Sequence, residues 1–422
     1  MENLKQYHIV TYGCQMNKSD SERIASLFEQ HNCQPTNDPS RADFIVLNTC
    51  SIKQTAEDKA MGHARQFSKL RKDKPELKIV ITGCMTGRPD AIQKTTGVDF
   101  AIPIKEIGTL PELLKINQLT SQQINSYLSI VPRHNNSFQA YIPIMTGCNN
   151  FCTFCVVPYT RGREYSRPFN EVIEEVKLAV KKGAKDIMLL GQNVNSYQFG
   201  FVELLKEINK IDGEFWVRFM SSNPQDMTKE LIETVASSEK LCKYIHFAVQ
   251  SGNDRVLKKM NRRHTIKQYE DLCDYMKSLM PTLGLSTDII VGFSSETDEE
   301  FKDTANLMER VGFDMAYISQ YSKRTNTPAW RLNDDVPYEK KKERDVYLNE
   351  ILKKTSLESG QKLVGKKVRV LIDKLGRRGM LVGKDTGWRT VSITNSSDES
   401  LIGKFVEVNI ESAFAFGLEG TI

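Results

Sequence analysis

Short, continuous apolar runs at His8–Tyr12, Phe44–Asn48 and Lys78–Thr82 alternate with amphipathic stretches such as Ser19–Gln30 and Thr55–Leu70. Runs of that length without an internal polar stripe read as buried parallel strands, because helices cover both faces of such a sheet. Residues 1–118 are therefore expected to form a βα sheet unit. A less patterned stretch, Asn117–Asn136 with Pro132, reads as a connection. From Tyr141–Thr146 the alternation becomes regular, with strands expected at Asp186–Gly191, Phe215–Ser221, Tyr244–Val249, Leu285–Gly292 and Asp314–Gln320. Six strands predict a partial (β/α)6 barrel over 134–360, since a closed eightfold barrel usually needs about 250 residues. Beyond a charged helix around Tyr338–Lys354, short segments at Val368–Ile372, Met380–Val382, Thr390–Ile393 and Phe405–Ile410 predict a small β-barrel over 361–422, a shape that often serves nucleic acids. The fold class is α/β in three units.

The 422-residue length agrees with several units, and 40% hydrophobic with 26% charged residues excludes collagen-like and wholly disordered classes. No apolar run approaches the ~20 residues that span a bilayer. Glu2, Lys5 and Gln6 interrupt the start of the chain, so no membrane partner and a cytoplasmic location are expected. The net charge of +5 is unremarkable, but its distribution is not. Lys362, Lys366, Lys367, Arg369, Lys374, Arg377, Arg378, Lys384 and Arg389 face only Asp373 and Asp385 within one window, which leaves the rest slightly negative. The nine cysteines are few and oddly numbered for a disulfide framework. Cys14, Cys50, Cys84 and Cys148 each follow a Gly or Thr just past an apolar run, as metal ligands in a reducing compartment would.

Cys148, Cys152 and Cys155 form a C-x3-C-x2-C run directly after the first expected barrel strand. Three cysteines in one loop can each hold one iron of a cubane and leave the fourth iron open. A structural zinc site wants four closed ligands, and no fourth Cys or His lies in this loop. The N-terminal trio is read geometrically. Cys14, Cys50 and Cys84 each lie past the carboxyl end of an expected strand, and parallel strand ends share one edge, where open α/β sheets bind ligands. Cys33, Cys242 and Cys273 lack that placement and read as ordinary buried thiols.

The C-x3-C-x2-C spacing resembles the radical S-adenosylmethionine (SAM) superfamily. The resemblance implies that SAM chelates the open iron and is cleaved by one electron to a 5′-deoxyadenosyl radical. It places Phe154 beside the adenine, although ordinary loop packing explains Phe154 too. Gln192 and Asn193, at the end of the second barrel strand, replace the acidic residue often found there. Arg218, Ser221, Gln250 and Asp288 end or line strands at the expected catalytic face and complete the cofactor-binding candidates.

Both cysteine sets, in this order and followed by a basic β-rich tail, resemble the radical SAM methylthiotransferases over essentially the whole chain, the tail being similar to their TRAM domain. Tyr12-Gly13-Cys14-Gln15-Met16-Asn17 and the segment Cys155–Gly162 are similar to the transfer-RNA isopentenyladenosine branch. The ribosomal-protein branch usually has Pro-Lys-Asn after the first cysteine and the threonylcarbamoyladenosine branch Lys-Val-Asn; neither matches. The resemblance implies two 4Fe-4S clusters, the auxiliary one on Cys14, Cys50 and Cys84. A first SAM would methylate a sulfur there, and a second would yield the radical that removes hydrogen from C2 of N6-isopentenyladenosine. That carbon has no acidic proton for acid–base catalysis to use. The same chemistry on threonylcarbamoyladenosine or on a ribosomal protein is the second reading, and a non-catalytic iron-sulfur RNA-binding sensor the third.

The implied partners are the anticodon stem-loop of tRNA, an electron donor such as flavodoxin or ferredoxin, and iron-sulfur assembly or carrier proteins, with the chain itself expected as a monomer. An anticodon-loop base can be splayed into a pocket. Lys366, Lys367, Arg369, Arg377, Arg378, Lys384 and Arg389 are expected to hold stem phosphates, and Trp388 to stack on a nucleotide. The alternative is a solvated barrel face with Trp388 as its core plug. Arg161 and Arg163 could steer RNA phosphate or the cofactor carboxylate, or equally pair with Glu164.

Overall fold

Every residue of Phe44–Thr49 is buried, and this segment is β3, the central strand of a parallel sheet ordered β2-β1-β3-β4-β5. The computed structural model describes residues 4–50, 54–87, 97–116, 126–133 and 138–422. The other strands of this sheet are β1 (Gln6–Thr11), β2 (Gln34–Pro35), β4 (Lys78–Gly83) and β5 (Phe100–Ala101). Alternate β3 residues serve opposite layers, as the two-residue period of a strand requires. Phe44 and Val46 pack with Ile24 and Phe28 of helix α1 (Gln15–Gln30), whereas Ile45 and Leu47 pack with Ala64 and Phe67 of helix α2 (Gln54–Ser68).

The expected connection at Asn117–Asn136 falls partly outside the described residues. Its described part, Ser126–Arg133, buries Tyr127, Leu128 and Ile130 in the N-terminal core, so it packs as part of that unit.

Six parallel strands then form the central unit: β6 (Gln139–Pro143), β9 (Asp186–Leu190), β10 (Trp216–Phe219), β11 (Tyr244–His246), β12 (Gly284–Val291) and β13 (Met315–Gln320). A small antiparallel pair, β7 (Met145–Thr146) and β8 (Tyr165–Ser166), flanks the cysteine loop. The barrel consists of two three-stranded halves, β10-β9-β6 and β11-β12-β13, joined by the parallel bridges Val217–Leu241 and Ser222–Phe247. Helices α3 (Phe169–Lys181), α4 (Phe201–Asn209), α5 (Lys229–Ser237), α6 (Asp254–Lys259), α7 (Ile266–Leu279) and α8 (Asp298–Val311) alternate with the strands. Ile187, Leu189, Val217 and Phe219 face these helices, leaving Met188, Leu190 and Arg218 on the lumen side.

The open edge at β6 is covered by the N-terminal unit. Ser19 Oγ of α1 donates to Tyr141 O at 3.0 Å, which satisfies an edge carbonyl. Arg23, fully buried, donates to both oxygens of Glu175 on α3 at 3.0 and 3.1 Å.

Helix α9 (Tyr338–Gln361) runs past its expected end at Lys354 because Ile351, Leu352, Thr355 and Ser356 remain buried. The last unit is a closed barrel, β14-β15-β16-β18-β17, built from β14 (Lys367–Leu375), β15 (Leu381–Asp385), β16 (Thr390–Ile393), β17 (Phe405–Phe414) and β18 (Gly417–Thr421). Strand β18 escapes the sequence reading because Gly417-Leu418-Glu419-Gly420-Thr421 holds a single apolar residue. Among the described residues no helix is long and apolar enough to cross a membrane.

Candidate functional site

Cys14, Cys50 and Cys84 all lie at the carboxyl edge of the sheet. Cys14 is the N-cap of α1, Cys50 follows β3 and Cys84 follows β4. Gly13 has φ +103°, and a Cβ on it would lie 2.5 Å from Cys50 Cβ and 3.0 Å from Cys50 Sγ, so the loop after β1 rests directly on Cys50. Asn17 and Asn48 lock this edge. Asn17 Nδ2 donates to Thr49 O at 2.8 Å, and Asn48 Nδ2 to Asn17 O at 2.8 Å. Cys14 is solvent-accessible but recessed among protein atoms, so desolvation raises its thiol pKa, with the Arg161 guanidinium the main opposing influence and the Cys84 thiolate a smaller reinforcing one.

The second trio is local. Gly147, at φ +75°, lets the chain pass against the backbone of Arg163 just before Cys148. The loop is strapped down by the residues after α6: Thr153 N donates to Met260 O at 3.0 Å, and Asn261 Nδ2 donates to Asn150 O and Phe151 O, each at 3.0 Å. Burial pushes the Cys155 thiol up to about 12, reinforced by Cys152, by Cys148 and finally by Cys84 of the other trio. The two trios thus sit within electrostatic reach of each other. The one-turn helix Val157–Thr160 packs on the turn Cys84–Gly87, and Arg324, just beyond β13, pairs with Glu57 of α2 at 3.4 Å.

Among the described residues no three His, Cys, Asp or Glu side chains gather as a single-ion site, and the nine cysteines are free thiols. Thiol donors without a fourth protein ligand suit an iron-sulfur cubane, and neighbouring orphan acceptors suit SAM. Asn193 Nδ2 donates to Asp226 Oδ2 at 2.8 Å, and since a carboxylate only accepts, the amide orientation is fixed and Oδ1 is left buried without a partner. Gln192 Oε1 is likewise a buried acceptor without a partner. Two such acceptors beside the cysteine loop fit the ammonium end of an amino acid.

Other candidates divide sharply. Ser221 N donates to His246 Nδ1 at 3.3 Å, which leaves the Nε2 proton facing Asp288 Oδ1 at 3.5 Å. Gln250 N donates to Asp288 O at 2.9 Å, so these three candidates share the upper lumen. Phe154 is half-buried against the cluster of Val256, Met260, Phe293 and Tyr321. Arg218 is not at the catalytic face. It is 1% exposed, donates to Asp186 Oδ1 at 2.8 Å and to Asp385 O, and lies against Trp388 at 4.5 Å, at the opposite, amino end of the strands.

The C-terminal barrel forms that floor, which corrects several RNA-contact expectations. Trp388 plugs the lumen beside Tyr244, with ring centroids 5.7 Å apart. Arg389 donates to Asp314 Oδ1 at 2.7 Å and to Leu283 O at 3.0 Å. Lys384 is committed to Thr390 Oγ1 at 2.8 Å, and burial lowers its pKa. Trp388 and Arg389 are interdomain packing groups, whereas Lys384 bonds within its own barrel. Arg369 pairs with Glu214 and lies over the Phe405 ring at 4.3 Å. Lys366, Lys367 and Arg377 are exposed, and the side chain of Arg378 lies outside the described residues.

Sequence reasoning missed Arg262, whose Nη1 lies 3.7 Å from Cys152 Sγ, and Asp226; nothing in their spacing marks them. It also left open where Arg161 and Arg163 point. Arg161 turns away from Glu164, donating to Asp20 Oδ2 at 2.7 Å and Tyr127 Oη at 3.2 Å, while Arg163 stacks on Phe151 at 4.3 Å.

A partial barrel whose first strand leads into a three-cysteine loop is the architecture of radical SAM proteins, and residues 142–308 match the radical SAM superfamily. Residues 6–102 match the uncharacterized protein family UPF0004, and residues 361–422 the TRAM domain. The fold also resembles the radical SAM methyltransferase TsrM from Kitasatospora setae, solved with cobalamin and a 4Fe-4S cluster bound, at TM-score 0.61 and 13% identity over 78% of this chain and 77% of that one. The tRNA-2-methylthio-N(6)-dimethylallyladenosine synthase of Acetivibrio thermocellus is 39% identical over 441 residues, covering 99% of this chain and 91% of the relative. The synthase of the same name from Dictyoglomus thermophilum is 38% identical and covers 99% of both. The chain belongs to this family of tRNA-2-methylthio-N(6)-dimethylallyladenosine synthases.

Proposed function

We propose that this protein attaches a methylthio group to C2 of N6-isopentenyladenosine (N6-dimethylallyladenosine) beside the anticodon of tRNA. The observation that carries the reading is that the one-turn helix just after Cys155 packs on the turn that begins at Cys84, so the two cysteine sets adjoin at strand ends. Cys148, Cys152 and Cys155 would hold the radical cluster, and Cys14, Cys50 and Cys84 a second 4Fe-4S cluster that presents sulfur. A reduced 4Fe-4S cluster with SAM supplies a radical able to take hydrogen from an unactivated C–H bond. The chain's own part is to position. Gln192 Oε1 and Asn193 Oδ1 would accept the cofactor's ammonium, and the thiols would release their protons as metal loads.

The three units, 1–118, 134–360 and 361–422, divide the work into sulfur presentation, radical generation and RNA holding. Exposed Lys366, Lys367 and Arg377 hold phosphates of the anticodon stem, so affinity falls with salt. Reducing equivalents come from a low-potential donor of the flavodoxin or ferredoxin class and replacement sulfur from iron-sulfur carrier proteins, which places the enzyme in the cytoplasm.

Mass spectrometry of tRNA nucleosides from cells lacking the chain tests this reading. The methylthio derivative should vanish while its unthiolated precursor accumulates; persistence of the derivative overturns the assignment. Reversing charge at Lys366 and Lys367 should weaken tRNA binding without changing iron content, and unchanged binding at physiological salt refutes the RNA face.

A further inference from the structure

Arg262 follows α6 in the strap that secures the cysteine loop, and its guanidinium is held from two sides. Nη2 donates to Ala248 O at 2.6 Å, fixing the fork against the end of the β11 region, and Nη1 reaches Cys152 Sγ at 3.7 Å. Nε is buried without a partner, so the group is not placed there to satisfy its own hydrogen bonds. Among the described residues no other cationic side chain hydrogen-bonds a cysteine of this trio, because Arg161 is spent on Asp20 and Arg163 on the Phe151 ring.

We propose that Arg262 donates a charge-assisted hydrogen bond to the Cys152 thiolate and thereby holds the reduction potential of the radical cluster up. This inference rests on the reading of Cys148, Cys152 and Cys155 as cluster ligands. Reduction takes one electron from the donor and moves the cluster from the 2+ to the 1+ state, with no protein bond formed or broken. The added negative charge is shared with the thiolate sulfurs, so a fixed cation and an N–H donor on one sulfur stabilise the reduced state more than the oxidised one. The partial burial of Arg262 and Cys152 strengthens that preference. A neutral side chain at position 262 loses the charge, whereas lysine keeps the charge and loses the fork that Ala248 O anchors.

The test is an EPR-monitored redox titration of the full-length, anaerobically reconstituted protein with dithionite and no RNA, following the signal that changes when SAM is added. Arg262→Met should lower the midpoint by at least 59 mV, a tenfold loss of reduced cluster at fixed potential for a one-electron couple. Arg262→Lys and Arg262→Gln should fall between Met and the unaltered protein. Iron content checks that each variant loads, and if Arg262→Met does not, Arg262→Gln carries the test. An unshifted midpoint in the loaded variant overturns the role of Arg262. Absence of any SAM-responsive signal in the unaltered protein is a different result, which sinks the cluster reading itself.

Discussion

The two cysteine trios are built in opposite ways. Cys148, Cys152 and Cys155 lie in one loop, bounded by Gly147 and strapped by Met260 and Asn261, so chain connectivity brings them near each other at little entropic cost. Cys14, Cys50 and Cys84 come from three βα turns and meet only when β1, β3 and β4 align in register. A local site survives small domain adjustments, whereas an assembled site depends on every strand that carries it. The division also separates the proposed roles, with radical generation on the local trio and sulfur supply on the assembled one.

The largest test of that contrast is chemical. Cys152→Ala should abolish 5′-deoxyadenosine formation from SAM and reductant, while Cys50→Ala should spare much of it and yield no methylthio nucleoside. Thiolation by the Cys50 variant would remove the auxiliary assignment.

Next in size is a substitution that touches no ligand. Gly13→Ala drives a Cβ to 2.5 Å from Cys50 Cβ at a backbone φ of +103°, so the cluster proposed for the assembled trio should fail to load. Iron per chain should fall from about eight to about four, two cubanes to one, with deoxyadenosine formation retained. A full complement of iron would show that the assembled site tolerates more displacement than its packing suggests.

The link between the trios is the buried pair Arg161–Asp20, whose side chains are 2% and 0% exposed. Asp20→Ala leaves the guanidinium buried and unpaired, which should cost about 3–5 kcal/mol in denaturant unfolding. Arg161→Met with Asp20→Ala should recover part of that loss, and no recovery would mean the pair is not the cause. The smallest effect is expected at Asn261, where Asn261→Ala frees two exposed loop carbonyls and should cost about 1 kcal/mol. A loss several times larger would make the local trio as dependent on distant support as the assembled one.

Much of this was legible along the chain. The run Phe44–Asn48 reads as a covered strand because four successive apolar side chains, Phe44 to Leu47, leave no face for solvent, and it is buried throughout. The placement of Cys14, Cys50 and Cys84 after strands suffices to predict a shared edge, because parallel strands end on one side. Cys33, Cys242 and Cys273 are buried, as that same logic left them. The fate of individual cations was not legible. Lys384 and Arg389 carry the same local signal as Lys366 and Lys367, yet the first is held by Thr390 and the second by Asp314, while Lys366 and Lys367 face solvent.

By itself the sequence determined the α/β order and the strand-end placement of Cys14, Cys50 and Cys84, since hydrophobic period and strand-end position are local properties of the chain. Only the tertiary structure decided that Arg218 lies under Trp388, that Arg161 joins Asp20 across 141 residues, and that Arg262 reaches Cys152 across 110. A buried charge is placed by the partner that offsets its desolvation, and such partners are chosen by packing between segments that no sequence window contains.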